Sequence, residues 1–307
     1  MKIAALILVP LLVLAVALGI WFYDPDKPRA ALEERYAAAP SQFIAVAGLR
    51  LHIRDTGPRD APPLLLLHGF AASLHTWEDW AGGLEADHRV IRVDLPGFGL
   101  TGPDPTGDYT DARTIAVLAA LLDQLGLPRV TVIGSSMGGR IAWRFAAAEP
   151  ARVERLVLIA PDGFASPLVA YDTPVRLPFA VRMLPYAAPP ATLRRLLAHT
   201  YADPRRLTDA VVERNRDMLL APGVRRAILT RLEQHIQRDP VPILSGLTMP
   251  VLLMWGARDN LIPMATANDF LAVLPHAALA TLPTLGHVPF EEEPAVSLPP
   301  LLAFLGR

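Results

Sequence analysis

Ser136 stands at the centre of Gly134-Ser135-Ser136-Met137-Gly138, directly after the apolar run Val130 to Ile133 and directly before the helical stretch Met137 to Ala148. A serine on so tight a strand-to-helix turn is thrust into the open as a nucleophile, and glycine is needed two residues to either side because the turn leaves no room for side chains. The following helix points its amino-terminal N–H groups at any negative charge that develops there. A hydroxyl is a weak nucleophile at neutral pH, so a base must lie within reach and a carboxylate must orient that base. The order expected after such an elbow is acid, then histidine.

His287 follows the last strand pattern, Ala277 to Leu282, in Leu285-Gly286-His287-Val288-Pro289, and is the candidate base. The other histidines sit at worse places: His52 alternates in a hairpin, His68 ends a strand, His75 and His88 flank a helix, His199 and His235 lie in a helical insertion, and His276 precedes the last strand. Asp259, in Trp255-Gly256-Ala257-Arg258-Asp259 after a buried strand and 28 residues before His287, is the preferred acid. Asp162, just past the strand ending at Ala160, is the topological substitute. Asp94 precedes the nucleophile and reads as a structural organiser of its loop, important for folding rather than rate. An oxyanion needs two backbone donors. Met137 N–H is one by construction, and Phe70 N–H, where Leu64 to Leu67 runs into His68-Gly69-Phe70, is the other.

These side chains require a scaffold that brings several strand ends to one edge. Leu64 to Leu67, Val90 to Val93, Val130 to Ile133, Leu156 to Ile159 and Val251 to Met254 are apolar runs without alternation, as in strands buried on both faces. Helical stretches such as Thr110 to Leu125 lie between them, which implies an α/β fold with a mostly parallel central sheet flanked by helices. Before them, Gln42 to Val46 and Leu49 to Arg54 flank Ala47-Gly48 as a hairpin. From Asp162 to about Met249 no strand pattern appears, prolines are frequent, and helical pieces fall at Ala191 to His199 and Val224 to Gln237. That segment reads as an inserted helical cap supplying apolar walls for a substrate pocket. The expected organisation is an amino-terminal segment and linker over 1–29, a core over 30–161 and 249–307, and a cap over 162–248. Ala30 to Ala39 is expected to be a short solvated helix or linker.

His68-Gly69-Phe70, Asp94-Leu95-Pro96-Gly97-Phe98-Gly99, the elbow at Ser136, Gly256-Ala257-Arg258-Asp259 and Gly286-His287 together resemble, in order, the alpha/beta hydrolase family and its capped serine hydrolases. The resemblance covers about Gln42 to Leu305. It implies a Ser136-His287-Asp259 triad and acyl transfer to water without a cofactor or metal. Serine at the elbow argues against the aspartate chemistry of dehalogenases and epoxide hydrolases. The C–C hydrolases of meta-cleavage products share a Ser-x-Met-Gly-Gly elbow, but they resemble one another in a Trp after the histidine and a glycine-rich oxyanion loop. Here Val288 and Phe70-Ala71-Ala72-Ser73-Leu74 stand in those places. The expectation is therefore an esterase or lipase type of carboxylic ester hydrolase, with the C–C hydrolase and a noncatalytic binding protein of the same fold as alternatives. Phe70, Trp77, Met137, Phe164 and Val288 are the candidate substrate contacts, with Phe98 also near the expected mouth.

Ile3 to Tyr23 is an uncharged run of 21 residues, as a helix about 31 Å long at 1.5 Å per residue, which matches a bilayer core. It ends in Trp21-Phe22-Tyr23, as at an interfacial belt. A single-pass membrane anchor with the hydrolase facing the periplasm or exterior is the first reading. A cleaved signal peptide, with Ala15-Val16-Ala17 as its small-residue site and a secreted product, is the rival. An apolar cap beside an anchor points to lipophilic acyl esters or lipids as substrates. The chain of 307 residues carries 29 Lys plus Arg against 30 Asp plus Glu, with no basic block, which excludes a nucleic-acid footprint. It has no cysteine, so thiol nucleophiles, disulfides and thiolate metal sites are excluded. Nothing in it marks an obligate protein partner.

Overall fold

Leu64, Leu66, Ile133, Val157, Leu252 and Met254 face one side of a central sheet, while Leu65, Leu67, Val132, Leu156, Leu158 and Leu253 face the other. The two sets alternate along the same strands, so an unbroken apolar run in each strand feeds two separate core layers. Each fully buried leucine contributes about 1.5–3 kcal/mol from apolar area removed from water. The computed structural model describes residues 23–166 and 170–306.

The strands are β1 (Ser41–Val46), β2 (Leu49–Thr56), β3 (Pro63–Leu67), β4 (Arg89–Val93), β5 (Val130–Ser135), β6 (Val153–Ile159), β7 (Val251–Gly256) and β8 (Ala278–Leu282). They form one sheet in the order β1-β2-β4-β3-β5-β6-β7-β8. The β1–β2 and β2–β4 pairs are antiparallel and every later pair is parallel. The parallel register sets Leu67 beside Gly134, and Ser135 beside Ile159, so the loops after β3, β5, β7 and β8 gather at one edge of the sheet. That edge is where an open parallel sheet presents its ligand site.

The helices are α1 (Arg29–Tyr36), α2 (Glu78–Leu84), α3 (Asp111–Gln124) and α4 (Met137–Ala148), then α5 (Phe179–Arg182), α6 (Pro190–Ala198), α7 (Asp209–Leu219), α8 (Val224–Gln234) and α9 (Val241–Leu244), and finally α10 (Thr266–Val273), α11 (Pro289–Glu292) and α12 (Pro294–Leu305). Thr110 caps α3 by accepting from Arg113 N–H at 3.2 Å. Between β6 and β7 no strand forms among the described residues: helices alternate with turns, and Pro174 makes an antiparallel bridge with Ile236.

One expectation changes. The stretch from Ala30 to Ala39 does carry a short helix, α1, but not a wholly solvated one, because Leu32 is buried in the core and Tyr36 packs against it. The chain ahead of α1 is also clasped to the insertion. Asp24 N–H donates to Tyr186 O and Lys27 N–H to Leu220 O, while Arg216 and Arg225 reach Asp24 and Asp26. Asp217 on α7 receives Lys27 Nζ at 2.5 Å, Arg35 Nη1 at 3.3 Å and Tyr36 Oη at 2.9 Å. Sequence pattern missed this strap because alternating charges look alike whether they face water or a neighbouring helix. Among the described residues no helix is long and apolar enough to cross a membrane. The expected anchor, Ile3 to Tyr23, lies outside them except for its last residue.

Candidate functional site

Val130 to Ser135 is buried along its whole length, and the chain leaves it through Ser136 in a left-handed conformation, φ 53° and ψ −119°. Holding a serine there costs on the order of 1–3 kcal/mol, so the surroundings must enforce it. They do so from three sides. Ser136 N–H donates to Ile159 O at 3.0 Å, and Ser136 O accepts from Arg140 N–H and Asp162 N–H, each at 3.0 Å. A Cβ on Gly134 would lie 2.3 Å from Gly138 O, and one on Gly138 would lie 2.3 Å from Leu67 O. Both glycines are thus demanded by backbone atoms that cannot yield.

The β7 and β8 loops supply the pair expected of them. His287 Nδ1 and Asp259 Oδ2 are 2.7 Å apart, and both residues are buried. The other oxygen, Asp259 Oδ1, accepts from Leu261 N–H at 2.8 Å and Ile262 N–H at 2.9 Å, which fixes the carboxylate plane. A Cβ on Gly256 would lie 2.1 Å from Gly286 O, so the two loops touch through that glycine. His287 N–H donates to Thr200 O at 2.7 Å, tying the loop to the helical insertion. Asp162, the substitute acid, instead faces Arg140, with its Oδ2 3.0 Å from Nε. Among the described residues Ser136 Oγ forms no hydrogen bond. Such contacts tighten when substrate arrives, so an unligated site does not require the link to the imidazole.

Ser136 sits at a cavity of about 180 Å³ lined also by Phe70, Met137, Leu232 and Ile262. Neither Phe70 N–H nor Met137 N–H donates to another group among the described residues, which leaves both free for an oxyanion beside Ser136. The loop carrying Phe70 is held by His68, which is fully buried. Leu95 N–H donates to its Nε2 at 3.0 Å, so the proton is on Nδ1 and is given to Gly69 O at 2.7 Å. Burial lowers the His68 pKa against the opposing pull of Asp94, and the ring stays neutral as that hydrogen bonding requires. Asp94 organises its loop as expected, accepting from Leu74 N–H and Leu100 N–H at 2.7 Å each, with His52 Nδ1 at 2.7 Å. Burial would raise its carboxyl, but the contact with His52 outweighs that and holds it well below the usual carboxylate range.

Three expected substrate contacts fall elsewhere. Trp77 is fully buried against Phe290, with ring centroids 4.3 Å apart, and against Trp80. It belongs to the core because the turn before α2 directs it under the sheet rather than toward the cavity. Phe164 packs edge-on against Phe270, and Val288 packs against Tyr201, Leu207 and Val212 of the insertion. Phe98 is buried beneath Phe70 and beside His68. In their place the cavity holds Arg140, Asp162, Arg231 and His235, of which the sequence had offered only Asp162, as the substitute acid. Arg140 carried a signal, since it stands one helical turn after Ser136 and so shares its face. Arg231 and His235 carried none, because their helix meets the sheet only in three dimensions. Among the described residues no three His, Asp or Glu side chains converge as a metal site.

A profile of the alpha/beta hydrolase fold matches residues 62–294. A 2-hydroxy-6-oxononadienedioate/2-hydroxy-6-oxononatrienedioate hydrolase from Cupriavidus pinatubonensis is 30% identical over 267 residues, 81% of this chain and 90% of that relative. The crystal structure of a membrane phospholipase A, a bacterial virulence factor, superposes with a TM-score of 0.74 at 26% identity, covering 99% of this chain and 98% of that one. A meta-cleavage product hydrolase from Pseudomonas fluorescens shares the fold, with a TM-score of 0.75 at 20% identity over 86% of this chain and 97% of that one. With a parallel sheet that ends in a strained serine and a His–Asp pair on its later loops, the chain belongs to the alpha/beta hydrolase fold family.

Proposed function

We propose that this hydrolase cleaves carboxylic esters through an acyl-enzyme formed on Ser136. The observation that carries the reading is the strained Ser136 opening on a cavity, with two unspent N–H groups beside it and a His287–Asp259 pair on neighbouring strand ends. In this reading His287 Nε2 removes the Ser136 proton as Oγ attacks the carbonyl carbon. Phe70 N–H and Met137 N–H hold the oxyanion, and the imidazolium returns its proton to the leaving alcohol. Water then repeats the sequence on the acyl-enzyme. Asp259 keeps the ring in the tautomer that presents Nε2. The helical excursion between β6 and β7 is the cap that narrows the entrance.

The lipophilic version of the substrate, delivered from a bilayer, rests on the apolar Ile3 to Tyr23 run and on the exposed side chains Phe179 (77 % exposed), Met183 and Tyr186 of the cap, where Tyr186 O accepts from Asp24 N–H. Similarity to a membrane phospholipase A supports it. The second reading, hydrolysis of a C–C bond in a ring-fission product, is favoured by the 30% identity to a dienedioate hydrolase. A noncatalytic binding protein would have no reason to keep Ser136 strained.

The deciding experiment compares p-nitrophenyl esters of increasing acyl length with a ring-fission dienone, using the full chain in detergent beside Ser136→Ala. Ester turnover that falls by at least about 1000-fold in the variant is expected. Turnover of the dienone alone would replace the ester reading with the C–C one, and turnover of neither would leave a binding protein.

A further inference from the structure

The cavity next to Ser136 has a charge that its own walls do not balance. Arg140 on α4 meets Asp162 Oδ2 at 3.0 Å through Nε and Asp111 Oδ2 at 3.0 Å through Nη1. Arg144, one turn further, also reaches Asp111, at 3.2 Å. Arg231 on α8 is 4 % exposed, lines the same cavity, and has no ion pair among the described residues. Its Nη2 donates to Pro96 O at 2.9 Å and reaches Thr114 Oγ1 at 3.4 Å, and its carbon lies 5.3 Å from the Phe98 ring centroid and 5.8 Å from that of Tyr109. Its Nε is buried without a hydrogen-bond partner. Three guanidinium groups thus face two carboxylates, and the unmatched one opens on the cavity that holds the candidate nucleophile.

The remaining neighbours do not pair Arg231: Asp108 acts on it only from a distance, with no ion pair between them, and His235 is uncharged. His235 Nδ1 lies 2.7 Å from Arg140 Nη1 and accepts from it, while Nε2 donates to Gln237 Oε1 at 3.1 Å. Burial and then the Arg140 charge lower its pKa, so it is a neutral prop for Arg140. Burial likewise pushes Arg231 down to about 10, which leaves it cationic at neutral pH. A buried cation without a carboxylate is costly unless something else pairs it. Proteins keep such a group where a ligand brings the counter-charge.

We propose that Arg231, flanked by Arg140, is a subsite for an anionic oxygen group of the substrate, a carboxylate or a phosphate, placed within one small cavity of the carbonyl that Ser136 attacks. This assigns the substrate class, an acyl compound carrying a negative charge close to its scissile bond, and it rests on the hydrolase reading of Ser136 only for its kinetic arm. Neutral acyl chains would enter the same cavity without pairing Arg231.

The test uses the full chain in detergent. Hydrolysis of p-nitrophenyl hemiglutarate is compared with that of p-nitrophenyl valerate, which matches it in acyl length and lacks the charge, in the wild type, Arg231→Met and Arg231→Lys. The wild type is expected to prefer the hemiglutarate. Arg231→Met should reduce kcat/KM for it by about 100-fold while changing the valerate by less than about threefold, with Arg231→Lys between. Equal losses on both esters, or no wild-type preference, overturn the proposal. In parallel, glutarate and inorganic phosphate are titrated into Ser136→Ala with and without Arg231→Met. Binding abolished by Arg231→Met upholds the subsite even if no ester is cleaved, and the tighter ligand distinguishes carboxylate from phosphate. Ester cleavage with no anion binding removes the subsite and leaves the hydrolase. Because Arg231→Met deletes a buried unpaired charge, its melting temperature should not fall, and a large fall with proportionate loss of all activities would mark Arg231 as merely structural.

Discussion

Asp259 divides its two oxygens between tasks, one turned to His287 Nδ1 and the other held by the N–H groups of Leu261 and Ile262. An amide there would keep the backbone contacts if its oxygen faced Leu261 and Ile262. Its NH2 would then point at His287 Nδ1, which can only accept from it, and the ring proton would move to Nε2. Asp259→Asn is therefore expected to leave the melting curve nearly unchanged and to lower kcat by on the order of 10⁴-fold, with KM little altered. Steady-state kinetics beside thermal melting separates this from a folding defect. These three side chains were legible in the sequence because each rides on a short backbone signature: a glycine-bracketed elbow, a glycine turn after β7 and a glycine before the histidine. Arg231 was not. Its role depends on which carboxylates fail to reach it, and no spacing along one chain records an absent neighbour.

At the scale of elements, β3, β5, β6 and β7 were readable because burial on both faces leaves each with an apolar run that does not alternate, Leu156 to Ile159 in β6 for example. Helix α4 began and ended as its pattern implies, since Ser136 dictates its start. The turn before α2 was less readable, and there Trp77 and His75 went inside. His75 Nε2 donates to Tyr36 O at 3.0 Å, joining that turn to the end of α1. Burial is the main cause that lowers its pKa to about 4, against a partial opposing pull from Asp94. The folded ring is thus neutral where the unfolded ring, with an ordinary value near 6.5, takes up a proton. The unfolded chain binds more protons between these values, so stability is full above about pH 6.5 and declines as the pH falls toward 4, by up to about 3 kcal/mol for this one group. Denaturant melts at pH 7, 5.5 and 4.5 should show that decline. His75→Gln, which can still donate to Tyr36 O, should flatten it. The Asp94 contribution has the opposite origin and a lower window. A carboxylate held below its usual range stabilises above that range and is lost only as the pH drops through it.

Across the whole molecule, the least expected contact is the one between the start of the described chain and the helical insertion. Asp217 is 1 % exposed and gathers Lys27, Arg35 and Tyr36 from the strap. Lys27 and Arg35 are themselves partly exposed and can turn to water, so Asp217→Ala chiefly strands the Tyr36 hydroxyl and is expected to cost about 1–3 kcal/mol. Limited proteolysis should then cut first in the 23–36 segment and in α7, before the sheet opens. Asp217→Asn, which still accepts hydrogen bonds, should lose less. The same strap decides where the polypeptide can be severed without harm. A cut ahead of Tyr23 spares every one of these bonds, and the remainder keeps its clasp. A cut after Lys27 discards Asp24 and Asp26, leaves Arg216 and Arg225 without their carboxylates, and unlatches α7 and α8 together with Arg231. Harmless trimming and inactivation would thus be separated by only a few peptide bonds.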